Sequence, residues 1–144
     1  MTAAKAIFDK NVIERLIPQK FPFVMVDKLF SFTDETIEAG LTIPDTNIFC
    51  HDGTFRESGL IEHMAQSVAL HTGYKFYLLN EPAPTGYIGS INQLQISELP
   101  KVGQEIKTLV TIIQEFGGIT LVDLVTTRND IEIARGQMKT VLAK

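Results

Sequence analysis

The fold is decided by residues 56–70, which read RESGLIEHMAQSVAL. Apolar side chains in this stretch fall on nearly every side of a helix, and a helix of that kind is enclosed by the rest of its protein. Glu62 nevertheless stands in the middle of the stretch. Because an ionised carboxylate is rarely buried without a partner, Glu62 is the first place to look for acid–base chemistry.

The flanking sequence predicts a second helix and six strands. Asp52-Gly53 predicts a tight turn in a loop at 48–55, and Gly117-Gly118 and Asn129-Asp130 predict the turns of two hairpins. Between these predicted turns, runs of apolar and β-branched residues predict the strands. The predicted helices span 11–17 and 56–79, and the predicted strands span 21–32, 36–43, 87–96, 105–116, 119–128 and 131–141.

The order of these elements predicts the architecture. A single amphipathic helix would cover one face of an antiparallel sheet, but a helix that is apolar all round needs cover on every side. The sheet must therefore curl around the helix, or a second subunit must cover what the sheet leaves open. Both together describe an α+β hotdog fold, and we expect one such domain over residues 1–144.

Composition and charge exclude several classes of function. The net charge is −4 and the 13 Lys and Arg residues are scattered singly, so we expect no nucleic-acid partner. Cys50 is the only cysteine, which excludes an internal disulfide and a cysteine-rich zinc site. No apolar run reaches the ~20 residues of a membrane span, and the N-terminus lacks signal-peptide features. We therefore expect a cytoplasmic protein with no membrane partner.

Two motifs resemble those of the bacterial 3-hydroxyacyl-acyl carrier protein dehydratases of the fatty-acid type. Residues 17–27 read IPQKFPFVMVD, and that family has a Pro-Phe-Leu-Leu-Val-Asp-like strand after a short helix. Residues 62–66 read EHMAQ, where the family has a Glu-Ala-Met-Ala-Gln helix signature. The correspondence extends over residues 11–142, which is nearly the whole chain.

The loop before the long helix departs from that family. Its only histidine is His51, which lies slightly closer in sequence to Glu62 than the family's histidine lies to its glutamate. Arg56-Glu57 stands where the family has Pro-Gly. In this respect the chain resembles the divergent dehydratase-like proteins of aryl-polyene and flexirubin pigment pathways, some of which look more like partner subunits than catalysts.

The resemblance implies dehydration of a (3R)-hydroxyacyl-acyl carrier protein to the trans-2-enoyl form by a His/Glu pair at a dimer interface. His51 is then the expected base and Glu62 the expected acid. Gln66, one helical turn after Glu62, is expected to orient that carboxyl or to hold the substrate. The thioester carbonyl is expected to bind the backbone N–H groups at the start of the helix, those of Glu57, Ser58 and Gly59.

The resemblance also implies the partners. Acyl carrier protein would present the substrate on its phosphopantetheine arm, and we expect neither a protein-bound cofactor nor a metal. A homodimer or higher oligomer is expected, and a heterodimer with a related dehydratase is the alternative. His63, which follows Glu62 on the helix, is expected at a subunit contact.

Two other functions remain open from the sequence. A hotdog thioesterase would use a helix carboxylate to activate water against the same kind of thioester. A non-catalytic subunit would bind acyl chains or pair with an active dehydratase. The three functions differ in product, because only the dehydratase yields an enoyl thioester and only the thioesterase releases free thiol.

Overall fold

The computed structural model describes residues 6–143. Within that range the chain forms a long helix, a short helix, a six-stranded sheet and a two-stranded hairpin. In chain order the elements are α1 (Lys10–Leu16), β1 (Lys28–Phe32), β2 (Thr36–Thr42), β3 (Cys50–His51), β4 (Thr54–Phe55), α2 (Glu57–Leu78), β5 (Gly86–Ile96), β6 (Glu105–Phe116), β7 (Ile119–Arg128) and β8 (Ile131–Leu142).

The six-stranded sheet is antiparallel, has the order β1-β2-β6-β7-β8-β5, and packs around α2. Along β6 and β7 buried side chains alternate with more exposed ones, as a sheet with one face on a core requires. The buried residues of both strands and of α2 belong to one cluster, which includes Leu60, Met64, Ile106, Val110, Val122 and Leu124. This arrangement is the hotdog fold that the sequence predicted.

The predicted turns are confirmed by their backbone angles. Asp52 and Gly53 have φ of 50° and 77°, which closes the two-residue turn between β3 and β4. Both residues of the turns at 117–118 and 129–130 also have positive φ. This geometry matches the right-handed twist of paired strands, and Gly, Asn and Asp adopt it most readily. The hairpins between β6 and β7 and between β7 and β8 follow from these residues.

The segment 21–27 is not a strand, which corrects the strand predicted over 21–32. The Met25 N–H donates to Oε1 of the Gln66 side chain at 2.6 Å, and Nε2 of Gln66 donates to the Phe23 carbonyl at 2.8 Å. Pro22 has no N–H to donate. At Pro22, Phe23 and Met25 a backbone group that a sheet ladder would need is therefore absent or bonded to a helix side chain, and β1 begins only at Lys28.

Helix α1 lies close against α2 at a glycine. A Cβ at Gly73 would overlap the backbone carbonyl of Leu16, so only glycine permits this approach. Lys20 Nζ then donates to the carbonyls of Glu14 at 2.7 Å and Ile17 at 3.1 Å, which satisfies the end of α1. The chain after α1 consequently runs back beside α2 toward the Gln66 contacts.

The two edges of the sheet differ. At the β1 edge, Ile7 forms an antiparallel bridge with Leu29. At the other edge, the 11-residue strand β5 pairs with β8 and, among residues 6–143, with no second strand. The unpaired N–H and C=O groups of a long edge strand can pair with a strand of another chain.

Candidate active site

A cavity of about 450 Å³ lies along one side of α2, within the usual size range of small-molecule sites. Its floor is a stripe of helix side chains at spacings of three, four and three residues, which places them on one face. The stripe comprises Glu62, Ala65, Ala69 and Thr72. Residues 15–19 form one wall, and residues 83–88 with Thr140 and Leu142 form the other.

Glu62 is the carboxylate of this cavity, and Gln66 holds it in place. The Gln66 Nε2 donates to Glu62 Oε2 at 2.6 Å. The other oxygen, Oε1, has no hydrogen-bond partner among residues 6–143. The side chain is half-buried. One oxygen is thus held by the helix while the other is available to a ligand in the cavity.

Gln66 itself is fully buried and makes three hydrogen bonds within the chain. Its two N–H groups donate to Glu62 Oε2 and to the Phe23 carbonyl, and its oxygen accepts a hydrogen bond from the Met25 N–H. Both amide hydrogens are therefore used. Of the two roles expected for Gln66, the contacts favour orienting Glu62 over holding a substrate.

His63 is fully buried inside the chain, which corrects the expectation that it packs at a subunit contact. Its Nδ1 lies 2.7 Å from the Met25 carbonyl and its Nε2 lies 2.8 Å from Thr108 Oγ1. Since a carbonyl only accepts, Nδ1 carries the proton and Nε2 accepts the Thr108 hydroxyl. Burial lowers the pKa of His63 to about 4, so the ring is neutral near pH 7. It joins α2 to the segment beside the site.

The start of α2 offers free backbone donors. Among residues 6–143, nothing accepts the N–H groups of Glu57, Ser58 or Gly59, and the N-cap residue Arg56 makes no side-chain capping bond. The first intrahelical donor is Leu60, whose N–H bonds the Arg56 carbonyl at 3.1 Å. Arg56 Nε lies 3.5 Å from Glu57 Oε1 and offsets the negative charge that Glu57 brings to this end. Free N–H groups and the helix dipole make this end favourable for an oxyanion.

His51 lies in the β3–β4 hairpin immediately before α2, and it does not contact Glu62 of its own chain. Its side chain is 76% exposed, and its Nε2 lies 3.3 Å from Asp52 Oδ2. The hairpin is attached to the helix start by the Arg56 N–H, which donates to the Phe49 carbonyl at 2.9 Å. His51 is therefore exposed to solvent and does not line the cavity of the chain that carries it.

Comparisons with known proteins identify the family of this chain. A family model described as ApeP-like, ApeP dehydratase, matches residues 11–141. The chain belongs to the ApeP-like dehydratase family. A 3-hydroxyacyl-[acyl-carrier-protein] dehydratase, FabZ of Clostridium botulinum (strain Okra / Type B1), is 25% identical over 144 residues, covering 94% of this chain and 96% of that protein.

Solved structures show the same fold. The dehydratase heterocomplex ApeI:P from Xenorhabdus doucetiae matches with a TM-score of 0.84 at 14% identity, over 92% of this chain and 91% of that chain. A hypothetical thioesterase with coenzyme A from Streptococcus pneumoniae TIGR4 matches with a TM-score of 0.62 at 8% identity, over 80% and 84% of the two chains. Identities this low establish the hotdog fold and nothing more specific.

For this ApeP-like chain, sequence reasoning missed one wall of the cavity. Gln19 lines it and, within residues 6–143, has a buried Oε1 with no hydrogen-bond partner. Tyr87 and Thr140 also line it, although their strands are far apart in sequence. The IPQKFPFVMVD motif pointed to this segment, but nothing in its pattern shows which side chain turns toward α2.

Among residues 6–143, no group of three or more His, Cys, Asp and Glu side chains is placed to hold a metal ion. No helix in that range is long and apolar enough to cross a membrane.

Proposed function

We propose that this chain is a subunit of a 3-hydroxyacyl-acyl carrier protein dehydratase, with Glu62 as the acid. The observation that carries the proposal is the Glu62 carboxyl, fixed by Gln66 at 2.6 Å and open to a cavity on its other side. Membership of the ApeP-like family and the relationship to a FabZ dehydratase support the reaction class.

The reaction needs two proton transfers. A base removes the α-proton at C2 of the acyl thioester, and the electron pair of that C–H bond forms the C2–C3 double bond. The C3–O bond breaks, and the protonated Glu62 carboxyl donates its proton to the departing hydroxyl, which leaves as water. The products are the trans-2-enoyl thioester and water, and no electron carrier is required. This fits an enzyme without a bound cofactor.

Negative charge develops on the thioester carbonyl when the α-proton leaves. The free N–H groups of Glu57, Ser58 and Gly59 are the donors that would stabilise it. Gly59 begins the turn that leads to Glu62, three residues or ~4.5 Å farther along the helix axis. A carbonyl bound at the helix start would thus have its C3 carbon near the carboxyl.

The base would come from a second chain. His51 is the candidate, because its imidazole suits proton abstraction near neutral pH and projects outward from its own subunit. The open edge of β5 is the surface where two chains would pair. The exposed apolar side chains of Tyr87 and Ile88 line the cavity and would be covered there.

The second chain is either another copy or a related dehydratase. A homodimer would bring His51 of one copy to Glu62 of the other. The solved ApeI:P dehydratase is described as a heterocomplex, and this supports the heteromeric alternative. In both cases acyl carrier protein would deliver the substrate on its phosphopantetheine arm, in the cytoplasm.

The test is to incubate the protein with 3-hydroxyacyl-acyl carrier protein and to follow enoyl absorbance and free thiol together. We expect enoyl product without thiol, and we expect Glu62→Gln to abolish it while leaving the circular dichroism spectrum unchanged. Thiol release without enoyl product would indicate the thioesterase. If neither product forms, alone or with a co-expressed dehydratase homologue, the proposal fails.

Mixing two inactive variants tests the shared site. Refolding His51→Ala together with Glu62→Gln would give hybrid dimers in which one of two sites has both residues intact. Random assortment should restore about a quarter of wild-type activity. If the mixture stays inactive while an added homologue restores turnover, the partner is that homologue.

A further inference from the structure

His63 follows the candidate acid in the chain, yet its side chain takes no part in the dehydration steps proposed above. The side chain is fully buried. Its ring lies between the Met25 carbonyl, 2.7 Å from Nδ1, and the Thr108 hydroxyl, 2.8 Å from Nε2. Burying a polar ring is costly unless its polar atoms are bonded, and here both nitrogens are bonded. The contacts of His63 therefore indicate what the ring does.

The sheet holds the His63 ring in one orientation. The Met25 carbonyl only accepts, so Nδ1 donates to it and Nε2 accepts the Thr108 hydroxyl. Because the one proton of Thr108 is used in this way, its Oγ1 accepts a hydrogen bond from the Thr126 hydroxyl at 2.6 Å. All three side chains are fully buried. The three hydrogen bonds thus donate in the same direction, from the sheet toward Met25.

Met25 transmits this constraint to Gln66. Two side chains one turn apart on α2 hold both of its backbone groups, since His63 bonds the carbonyl and Gln66 Oε1 accepts from the N–H at 2.6 Å. The Gln66 amide cannot turn over while this segment stays in place. Turning would set its NH₂ group against the Met25 N–H and its oxygen against the Phe23 carbonyl. Its Nε2 is thereby directed at Glu62 Oε2, 2.6 Å away.

The orientation of Gln66 decides which oxygen of the Glu62 carboxyl carries the acidic proton. An amide N–H donates and does not accept, so Oε2 is the unprotonated oxygen when Glu62 is in its acid form. The proton then lies on Oε1, the oxygen that has no hydrogen-bond partner within residues 6–143. A Gln66 amide turned the other way would present its oxygen and would draw the proton to Oε2.

We propose that His63 is a positioning residue, which holds Met25 so that the Gln66 amide keeps the Glu62 proton on Oε1. The inference rests on the proposed function for the role of Glu62 as the acid. His63 touches no reacting atom, but it sets the direction in which the acid donates its proton. Loss of its bond to Met25 should therefore lower kcat with little change in KM.

Two substitutions at His63 separate its two hydrogen bonds. The short amide of His63→Asn reaches the place of Nδ1 and keeps the bond to Met25, whereas the longer amide of His63→Gln reaches toward Thr108 and loses it. We expect kcat to fall at least about tenfold in His63→Gln, with KM within about twofold of the wild type. His63→Asn should restore most of that loss. Equal kcat values for the two variants would overturn the proposal.

Hydrogen exchange of the Gln66 side-chain amide tests the same link without turnover. Its NMR signals are those that disappear in Gln66→Met, and the backbone N–H of Leu124, in the middle of β7, reports on unfolding of the whole domain. Relative to Leu124, the Gln66 amide should exchange at least about tenfold faster in His63→Gln than in the wild type. An unchanged ratio of the two rates would show that His63 only stabilises the fold and would overturn the proposal.

Thr108→Val replaces His63→Gln if that variant does not fold, because it removes the hydroxyl that orients the ring and keeps His63 itself. The ratio of exchange rates should then rise by a smaller factor, about threefold, and an unchanged ratio would again overturn the proposal. Exchange is measured without substrate. A wild type that forms no enoyl product, alone or with a dehydratase homologue, would therefore contradict the proposed function and leave the exchange results to decide the link from His63 to Gln66.

Discussion

Gln66 connects the candidate acid to the chain segment beside it. Three hydrogen bonds, to Glu62, Phe23 and Met25, depend on this one buried side chain. His63 adds a fourth contact to the same segment through the Met25 carbonyl. The carboxyl and the segment that borders it are thus positioned together, and a change at Gln66 should affect both stability and chemistry.

The Gln66→Met variant tests this coupling. It leaves the Met25 N–H and the Phe23 carbonyl without their partners, which should lower the free energy of unfolding by about 3 kcal/mol. Turnover should fall at least about tenfold, in kcat more than in KM, because Glu62 loses its orientation. Urea unfolding and steady-state kinetics measure the two effects, with Gln114→Met as the exposed control. An unchanged kcat would show that Gln66 is purely structural.

His63 makes stability depend on pH. Burial holds its pKa at about 4, well below its usual value of 6.5, so the unfolded chain binds a proton that the folded chain excludes between these values. The contribution of His63 to the free energy of unfolding is fully present above pH 6.5 and is lost as the pH falls toward 4. The total loss is about 3 kcal/mol. His71, also with a lowered pKa from burial, adds a change of the same sign.

We therefore expect the slope of unfolding free energy against pH, between pH 4 and 6.5, to be shallower in His63→Gln than in the wild type. Chemical unfolding at a series of pH values measures it. The absolute stability of the variant will be lower, so only slopes are compared. Gln114→Met, an exposed change that removes no titratable group, should keep the wild-type slope. If the plots of unfolding free energy against pH were parallel for His63→Gln and the wild type, His63 would not be the source of the pH dependence.

At the scale of elements, periodicity and turn chemistry predicted most of the sheet. The bounds Glu105–Phe116 and Ile119–Arg128 were predicted to the residue, because Gly117-Gly118 and Asn129-Asp130 mark the hairpins without ambiguity. The predicted strand at 21–32 was wrong over its first seven residues. There a side chain from α2, 41 residues away in sequence from Met25, takes the place of a neighbouring strand, and no local pattern encodes such a contact.

The uncapped start of α2 predicts a conflict between stability and activity. Arg56→Asp would provide a side chain that accepts the N–H of Ser58 or Gly59, and a new N-cap of this kind is worth about 1 kcal/mol. The same bond would occupy a donor that the thioester carbonyl needs. We expect higher stability in thermal unfolding and slower dehydration. Arg56→Ala, which removes the guanidinium without capping the helix, separates this effect from loss of the Arg56–Glu57 pair.

At the scale of the molecule, Glu62, which the sequence predicted as the acid, lines the cavity, but the sequence could not show what faces it. Helical periodicity is enough to put Glu62 and Gln66 on one face. His51 lies on a hairpin whose direction depends on the turn at Asp52-Gly53 and on its contacts with Phe49 and with residues 100–102. On the proposed function it would meet a carboxyl of a second chain, and a single sequence carries little information about contacts between chains.

The open edge of β5 gives the last prediction. If two chains join there, Ile88→Lys should weaken the dimer, because a lysine on an edge strand opposes pairing with another strand. Ile88 also lines the cavity, so activity should fall with dissociation and should recover in part at high protein concentration. Leu109→Lys is the matched control. Its side chain is similarly exposed, at 42% against 41%, but it lies where β6 is paired on both sides, with Glu38 of β2 and Val125 of β7. Sedimentation across a concentration series should show a larger dissociation constant for Ile88→Lys alone. Equal values for the two variants would place the interface elsewhere on the molecule and would remove the route by which His51 reaches a second subunit's Glu62.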